Sequence, residues 1–190
     1  IKKVSVDPLS HSPCAVGSNG LLYCWGRSQS SPVAQAIPTG VTFKDVIVGA
    51  SLVCGHSTDN WLYCWGLGGL VGDGTAVDRL VPTKMAKGAI PTGVTIKKVS
   101  LYASTRYWVD GVQQSVGYGC MLGSDNRAYC WGERDSGNLG DGNVGSTTAL
   151  SPVAVTMPTG ETFKDIFVDD GGACVHSTDD WLYCWGRGSI

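Results

Sequence analysis

The chain has 190 residues, 43% of them hydrophobic and 16% charged, with 14 Lys and Arg against 16 Asp and Glu. A net charge of −2 and the lack of any basic run argue against a nucleic-acid surface. No stretch approaches the ~18 apolar residues of a membrane-spanning helix, and 27 glycines, roughly twice the usual share, point to many tight turns.

The chain opens on Ile1-Lys2-Lys3-Val4-Ser5-Val6, which reads as one short strand with no apolar leader before it. A hairpin follows, Cys14 to Cys24. Its two extended runs flank Ser18-Asn19-Gly20, a three-residue loop with glycine at the left-handed position. That loop sets Gly17 against Leu21, Val16 against Leu22 and Cys14 directly against Cys24. Next come a proline-led edge strand, Pro32-Val33-Ala34, and the phrase Ile37-Pro38-Thr39-Gly40-Val41-Thr42-Phe43-Lys44-Asp45, which turns into a β-branched run, Val46-Ile47-Val48.

The same order then returns. A second hairpin runs Cys54 to Cys64 around Thr58-Asp59-Asn60, followed by Gly69-Leu70-Val71-Gly72-Asp73-Gly74, Pro82-Thr83-Lys84, the phrase at 90–98 and the run Val99-Ser100-Leu101. A third hairpin, Cys120 to Cys130 around Ser124-Asp125-Asn126, precedes Gly137-Asn138-Leu139-Gly140-Asp141-Gly142, Pro152-Val153-Ala154, the phrase at 157–165 and Ile166-Phe167-Val168. The fourth hairpin, Cys174 to Cys184 around Thr178-Asp179-Asp180, ends in Trp185-Gly186, and no proline-led strand follows it. Units of four short antiparallel strands repeated every 40–70 residues or so predict an all-β β-propeller, with about fifteen strands and almost no helix. The units fall at about 1–40, 41–93, 94–160 and 161–190 of a single repeat domain. Within a unit, Cys54, His56, Leu62 and Cys64 share one face while Trp61, Tyr63 and Trp65 share the other. Both faces are apolar, as when each blade packs between two neighbours.

All eight cysteines fall in facing hairpin pairs, predicting the disulfides Cys14–Cys24, Cys54–Cys64, Cys120–Cys130 and Cys174–Cys184. Zinc would require closer pairs of the C-x2-C kind, and none is present. Disulfides persist in oxidising surroundings, so the expected location is extracellular or at a cell surface, with secretion or the periplasm as variants. The Trp-Gly tryptophans (Trp25, Trp65, Trp131, Trp185) and their neighbours Tyr23, Tyr63, Tyr129 and Tyr183 are expected between blades. Four units, the last with three strands, suggest a partial or open ring, part of a longer chain or of an assembly. A free end face is expected to carry either Cys14, Val16, Leu22 and Cys24 or Val175, Trp181, Tyr183 and Trp185.

The Tyr-Cys-Trp-Gly strand, the loop from Gly137 to Gly142 and the Pro-Val strand after it together resemble the repeat of the regulator-of-chromosome-condensation family, whose superfamily also holds secreted beta-lactamase inhibitor proteins. The resemblance covers nearly the whole chain and implies a propeller, usually of seven blades. It departs at Ser12, Leu52, Tyr118 and Gly172, where the family often has histidine, and the first unit lacks the Gly-rich loop.

Enzyme constellations are thin. His56 and His176 hold equivalent repeat positions and read as structural hydrogen-bonders between blades, and the adjacent Ser57 and Ser177 are likewise repeat wording, not nucleophiles. Asp73 and Asp141 do not recur with enough oxygen ligands to argue for calcium. The expectation is no enzyme, no cofactor and no metal. What departs from the repeat is the segment 102–118, an insertion of about thirteen residues. It carries Tyr102, Arg106, Tyr107, Trp108 and Tyr118, residue types that anchor interfaces, with Asp110-Gly111 as a hairpin turn. The function expected from this is a binding or structural module that engages a protein or glycan through propeller-face loops, such as an adhesin or filament subunit. Self-association through open propeller ends is a further expectation, without nucleic acid or membrane insertion. The alternatives are a secreted inhibitor of an extracellular enzyme and, last, guanine-nucleotide exchange on a small GTPase.

Overall fold

The computed structural model describes residues 1–7, 12–26, 29–109 and 112–187, with the backbone alone for 29–30, 105–109 and 112–115. The described residues form fifteen strands and no helix. Blade 1 holds β1 (Lys3–Ser5), β2 (Cys14–Val16), β3 (Leu22–Gly26) and β4 (Gln29–Ala34). Blade 2 holds β5 (Phe43–Val48), β6 (Leu52–Ser57), β7 (Leu62–Gly66) and β8 (Arg79–Lys84). Blade 3 holds β9 (Ile96–Val109), β10 (Val112–Gly123), β11 (Ala128–Glu133) and β12 (Thr148–Ala154), and blade 4 holds β13 (Phe163–Asp169), β14 (Gly172–Ser177) and β15 (Leu182–Gly186). Every sheet is antiparallel in sequence order, the pattern of propeller blades, and the four do not close into a ring.

Each central hairpin is built by its turn. Gly20, Asn60, Asn126 and Asp180 take φ of 77°, 61°, 59° and 73°, the left-handed region that Gly, Asn and Asp tolerate best. One residue earlier, the Asn19, Asp59 and Asp125 side chains accept backbone N–H bonds from Leu21, Trp61 and Arg127. This fixes the register at Cys14 opposite Cys24, Cys54 opposite Cys64, Cys120 opposite Cys130 and Cys174 opposite Cys184. The Cα atoms of each pair lie 4.0–4.1 Å apart, and all four disulfides form. Among the described residues no cysteine is free.

The outer strands begin earlier than the prolines suggest. β8 starts at Arg79 rather than Pro82, and the register slips between Cys64 and Gly66, so Pro82 falls within an irregular stretch of an edge strand. Pro32 and Pro152 repeat the arrangement. An edge position and a bulge are where a residue without an N–H costs a sheet least.

Blades stack through unlike faces. Leu52, Cys54, Leu62 and Cys64 of blade 2 meet Ile96, Met121, Tyr129 and Trp131 of blade 3 in one core. Cys14, Val16 and Leu22 of blade 1 meet Phe43, Tyr63 and Trp65 of blade 2, while Cys120, Leu122 and Cys130 of blade 3 meet Phe163, Val175, Tyr183 and Trp185 of blade 4. The cysteine face of each blade therefore packs on the aromatic face of the next. This reverses the expectation for the ends except at Trp181, which is exposed as expected. Cys14, Val16 and Leu22 are buried, and so is Val175, with Tyr183 and Trp185 packed inside. The faces left open are the aromatic face of blade 1, with Tyr23 and Trp25 only half-buried, and the cysteine face of blade 4, with Leu182 and Trp181 exposed. Residue alternation separates two faces of a strand but does not say which points forward. The shared hand of twist in the stacked sheets decides that.

Candidate interaction surfaces

Three kinds of surface stand out from the repeat: the long hairpin of blade 3, the Gly-rich loops beside it, and the two open faces.

The hairpin continues β9 and β10 past the blade. Pairing runs from Gly123 opposite Ile96 to Val112 opposite Val109, in place of the six- or seven-residue strands of blades 2 and 4. The six residues after Ala103, up to Val109, carry it about 20 Å outward at ~3.3 Å per residue. Thr105 pairs with Ser115 and Tyr107 with Gln114, which leaves Arg106 as the additional residue of a bulge, and Trp108 pairs with Gln113. Arg106, Tyr107 and Trp108 thus lie on the outward arm, but their side chains lie outside the described part, as do Asp110 and Gly111 altogether. Tyr118 differs from the expectation. It is 2% exposed, and its hydroxyl donates to the Asp169 carbonyl at 2.8 Å and to that of Gly172. It is a seam residue that ties the root of the hairpin to blade 4. Tyr102 is half-buried beside it, with ring centroids 6.2 Å apart. Of the five predicted binding residues, the fold places two at the root and three on the arm.

The Gly-rich loops latch neighbouring blades. Trp131 donates its indole N–H to the Leu70 carbonyl at 2.8 Å, and Trp185 donates to the Asn138 carbonyl, the equivalent loop position, at 2.9 Å. Each loop is held by an aspartate. Arg79 contacts Asp73, and Arg134 contacts Asp141, both at 2.5 Å. Burial pushes both carboxyls upward, but hydrogen bonds from Thr75 and Arg79 to Asp73, and from Arg134 and Asn143 to Asp141, outweigh it and hold both below the usual range. Their oxygens serve the loop. In blade 1 the sequence leaves only two residues between the end of β3 and the start of β4. Its partner tryptophan across the seam, Trp65, is nonetheless 9% exposed.

His56 is buried in the seam between blades 2 and 3, 5% exposed, and its Nε2 has no hydrogen-bond partner among the described residues. Burial, then the nearby Lys44 charge, lower its pKa to about 4, against a weaker upward pull that includes a hydrogen bond to the Ile96 backbone. A neutral ring that helps seal a seam is not placed to act as a base near neutral pH. His176, its equivalent, is half-buried on the open face with Nε2 3.3 Å from Asp180. Sequence reasoning did not single out Tyr23, Trp25 and Leu182 as surface residues. A signal was present, since the wording of blade 4 repeats that of blade 2.

Among solved structures, human WBSCR16 superposes with a TM-score of 0.75 at 15% identity, over 94% of this chain and 45% of its own. Yeast RCC1 (Prp20), bound to Kap60, follows at 0.69 and 16%, over 94% and 42%. The fold is that of the RCC1 propellers. The ectodomain of the Arabidopsis thaliana receptor kinase ACR4 is more distant, at 0.54 and 18%, over 97% and 54%. The chain thus spans roughly half or less of each of these three structures. No protein-family model matches the sequence, and a search of curated proteins finds no match. At these identities the likeness establishes an RCC1-like fold, and activity has to be argued from the surfaces.

Proposed function

We propose that this propeller segment is a binding module of an extracellular or cell-surface protein, which holds a protein or glycan ligand on the side where the β9–β10 hairpin emerges. The observation that carries the reading is the hairpin itself. It is a long paired arm in a repeat where blades 2 and 4 make the same connection in three and two residues. Its outward stretch holds Arg, Tyr and Trp, the residues that most often dominate binding energy. Four disulfides support an oxidising location, since they would not persist in a reducing cytosol. The same point weighs against nucleotide exchange on a cytosolic GTPase. That yeast Prp20 is bound to Kap60, and is described by its binding to Gsp1p and histones, supports protein recognition as a use of this fold.

The test compares the chain with a variant in which residues 104–116 are replaced by a short glycine-containing turn. Biotinylated protein is applied to intact cells, secreted protein fractions and a glycan array. The expected result is a saturable ligand lost by the shortened variant while its melting temperature is kept. Equal binding by both proteins, or by neither, would refute the reading. Alkylation and mass spectrometry of protein from its native source should find no free thiol, and free thiols there would remove the extracellular location.

A further inference from the structure

Each seam repeats one notch below its central hairpin, and between blades 3 and 4 that notch is a hollow. We infer that this hollow binds a free α-amino acid with an apolar side chain.

The first observation is what the notch is made of in each seam. Four positions build it: the two residues after a hairpin turn, and the first and third residues after the next Pro-Thr-Gly. Between blades 1 and 2 they are Leu21, Leu22, Val41 and Phe43, and between blades 2 and 3 they are Trp61, Leu62, Val94 and Ile96. All are apolar, with Leu22 and Leu62 fully buried and Val41, Trp61 and Val94 packed against the seam cores. Between blades 3 and 4 the same positions read Arg127, Ala128, Glu161 and Phe163. Alanine stands on the floor where the other seams have leucine, and opposite charges stand at the rim where they have apolar residues. The result is a hollow of about 210 Å³, lined by these four with Val155 and Met157 among others.

An outer strand on the following blade does not seal such a notch. Blade 2 has one in β8, yet Gln35 and Ile37 of the first seam stay half-buried, as do their counterparts Val155 and Met157. The side chains at the four positions make the difference.

The second observation is the chemistry of the lining. Ala128 and Phe163 are each 2% exposed, so the floor is apolar. Arg127 and Glu161 line the same hollow, and among the described residues neither side chain forms an ion pair. A guanidinium takes a carboxylate in bidentate geometry, and a carboxylate takes an ammonium. Opposite charges at the rim of an apolar floor therefore fit a zwitterion, with its carboxylate on Arg127, its ammonium on Glu161 and its side chain toward Ala128 and Phe163. Size agrees. The hollow is smaller than the ~300 Å³ at which drug-sized ligand sites begin, but larger than the ~150 Å³ that admits a benzene ring. That suits leucine, methionine or phenylalanine. A residue inside a peptide carries neither main-chain charge and would leave both rim groups unused. The site lies at the hairpin-turn end of blade 3, the opposite end from the β9–β10 arm, so it stands or falls independently of the ligand proposed there.

The experiment is calorimetric titration of the purified chain with L-leucine, L-methionine and L-phenylalanine, with amide shifts followed by NMR on isotope-labelled protein. N-acetyl-L-leucine and L-leucinamide, each lacking one of the two charges, run alongside. At least one amino acid should bind saturably, shifting the amides of Arg127, Ala128, Glu161 and Phe163, and both derivatives should bind about tenfold or more weakly than leucine. Arg127→Leu and Ala128→Leu, which restore residues of the first seam, should each weaken binding about tenfold or more while the melting temperature is kept or raised. If Ala128→Leu lowers the melt, Arg127→Leu decides alone. Saturable binding by none of the three amino acids overturns the inference, as does an Arg127→Leu variant that binds like the unmodified chain. N-acetyl-leucine binding as tightly as leucine would assign the hollow to the C-terminal residue of a peptide, and leucinamide doing so to an N-terminal one; either overturns it equally.

Discussion

The seam between blades 2 and 3 and the open face of blade 4 are written in almost the same words but exist in opposite surroundings. Leu62 is fully buried where Leu182 is 64% exposed. Trp61 is packed, donating its indole N–H to the Met85 carbonyl at 2.9 Å, where Trp181 is 67% exposed. Cys54 and Cys64 are sealed, while Cys174 is half-buried and Cys184 exposed. The local hairpin is the same in both: Ser57 and Ser177 each hydrogen-bond within their own turn, to Trp61 and Trp181. Hairpin geometry in this protein is therefore local, and burial comes from the next blade. The apolar composition of a strand here records what should lie against it.

The largest effects should come from the sealed seam. Trp131→Ala removes a fully buried indole and leaves the Leu70 carbonyl without its donor, which should cost about 3–5 kcal/mol. Leu62→Ala should cost about 2–5 kcal/mol. Trp181→Ala and Leu182→Ala, chemically the same changes, should stay within about 0.5 kcal/mol in dilute protein. Denaturant midpoints of the four variants measure this directly. Equal losses in the two regions would mean that burial does not separate them.

Disulfide chemistry should divide the regions by access. Each bridge closes a loop of about eleven residues and contributes about 3 kcal/mol in the chain-entropy view. Under limited reductant the exposed Cys174–Cys184 bridge should open first in dilute protein, and Cys54–Cys64 and Cys120–Cys130, all 0% exposed, last. Timed alkylation with mass spectrometry gives the order. Opening of the buried bridges first, or of all together, would show that the blades separate before they are reduced.

Much of the fold was legible because its signals are local and repeated. The nine-residue gap between cysteines and the turn residues fix register, and register fixes the disulfides. The interior tryptophans Trp65 and Trp131 followed from alternation. What was not legible depended on a neighbour. Trp25 carries the same signature as Trp131, yet it is only half-buried because no blade lies against it. Tyr118 reads as a loop aromatic and is instead pinned under blade 4, since only the folded stack brings the Asp169 and Gly172 carbonyls to its hydroxyl. The latch from Trp131 to Leu70 spans 61 residues, so no local pattern announces it.

The smallest effect sharpens the comparison through pH. His56 is neutral in the seam, its pKa lowered to about 4 by burial and the Lys44 charge, whereas the unfolded chain binds a proton near 6.5. The folded value lies below the unfolded one, so the contribution of this group is fully present above about pH 6.5. It is lost as the pH falls toward 4, because over that window the unfolded state takes up a proton that the folded state refuses. The loss should be on the order of 2 kcal/mol once partial solvent screening is allowed for. Asp45 and Asp59 pull the ring the other way and limit its size. Urea midpoints from pH 7 to pH 4 should fall for the unmodified chain and fall less for His56→Gln, which cannot take up the proton. Parallel pH profiles for the two proteins would show that the seam admits a charged ring, and that the unpartnered Nε2 reaches water when the blades breathe.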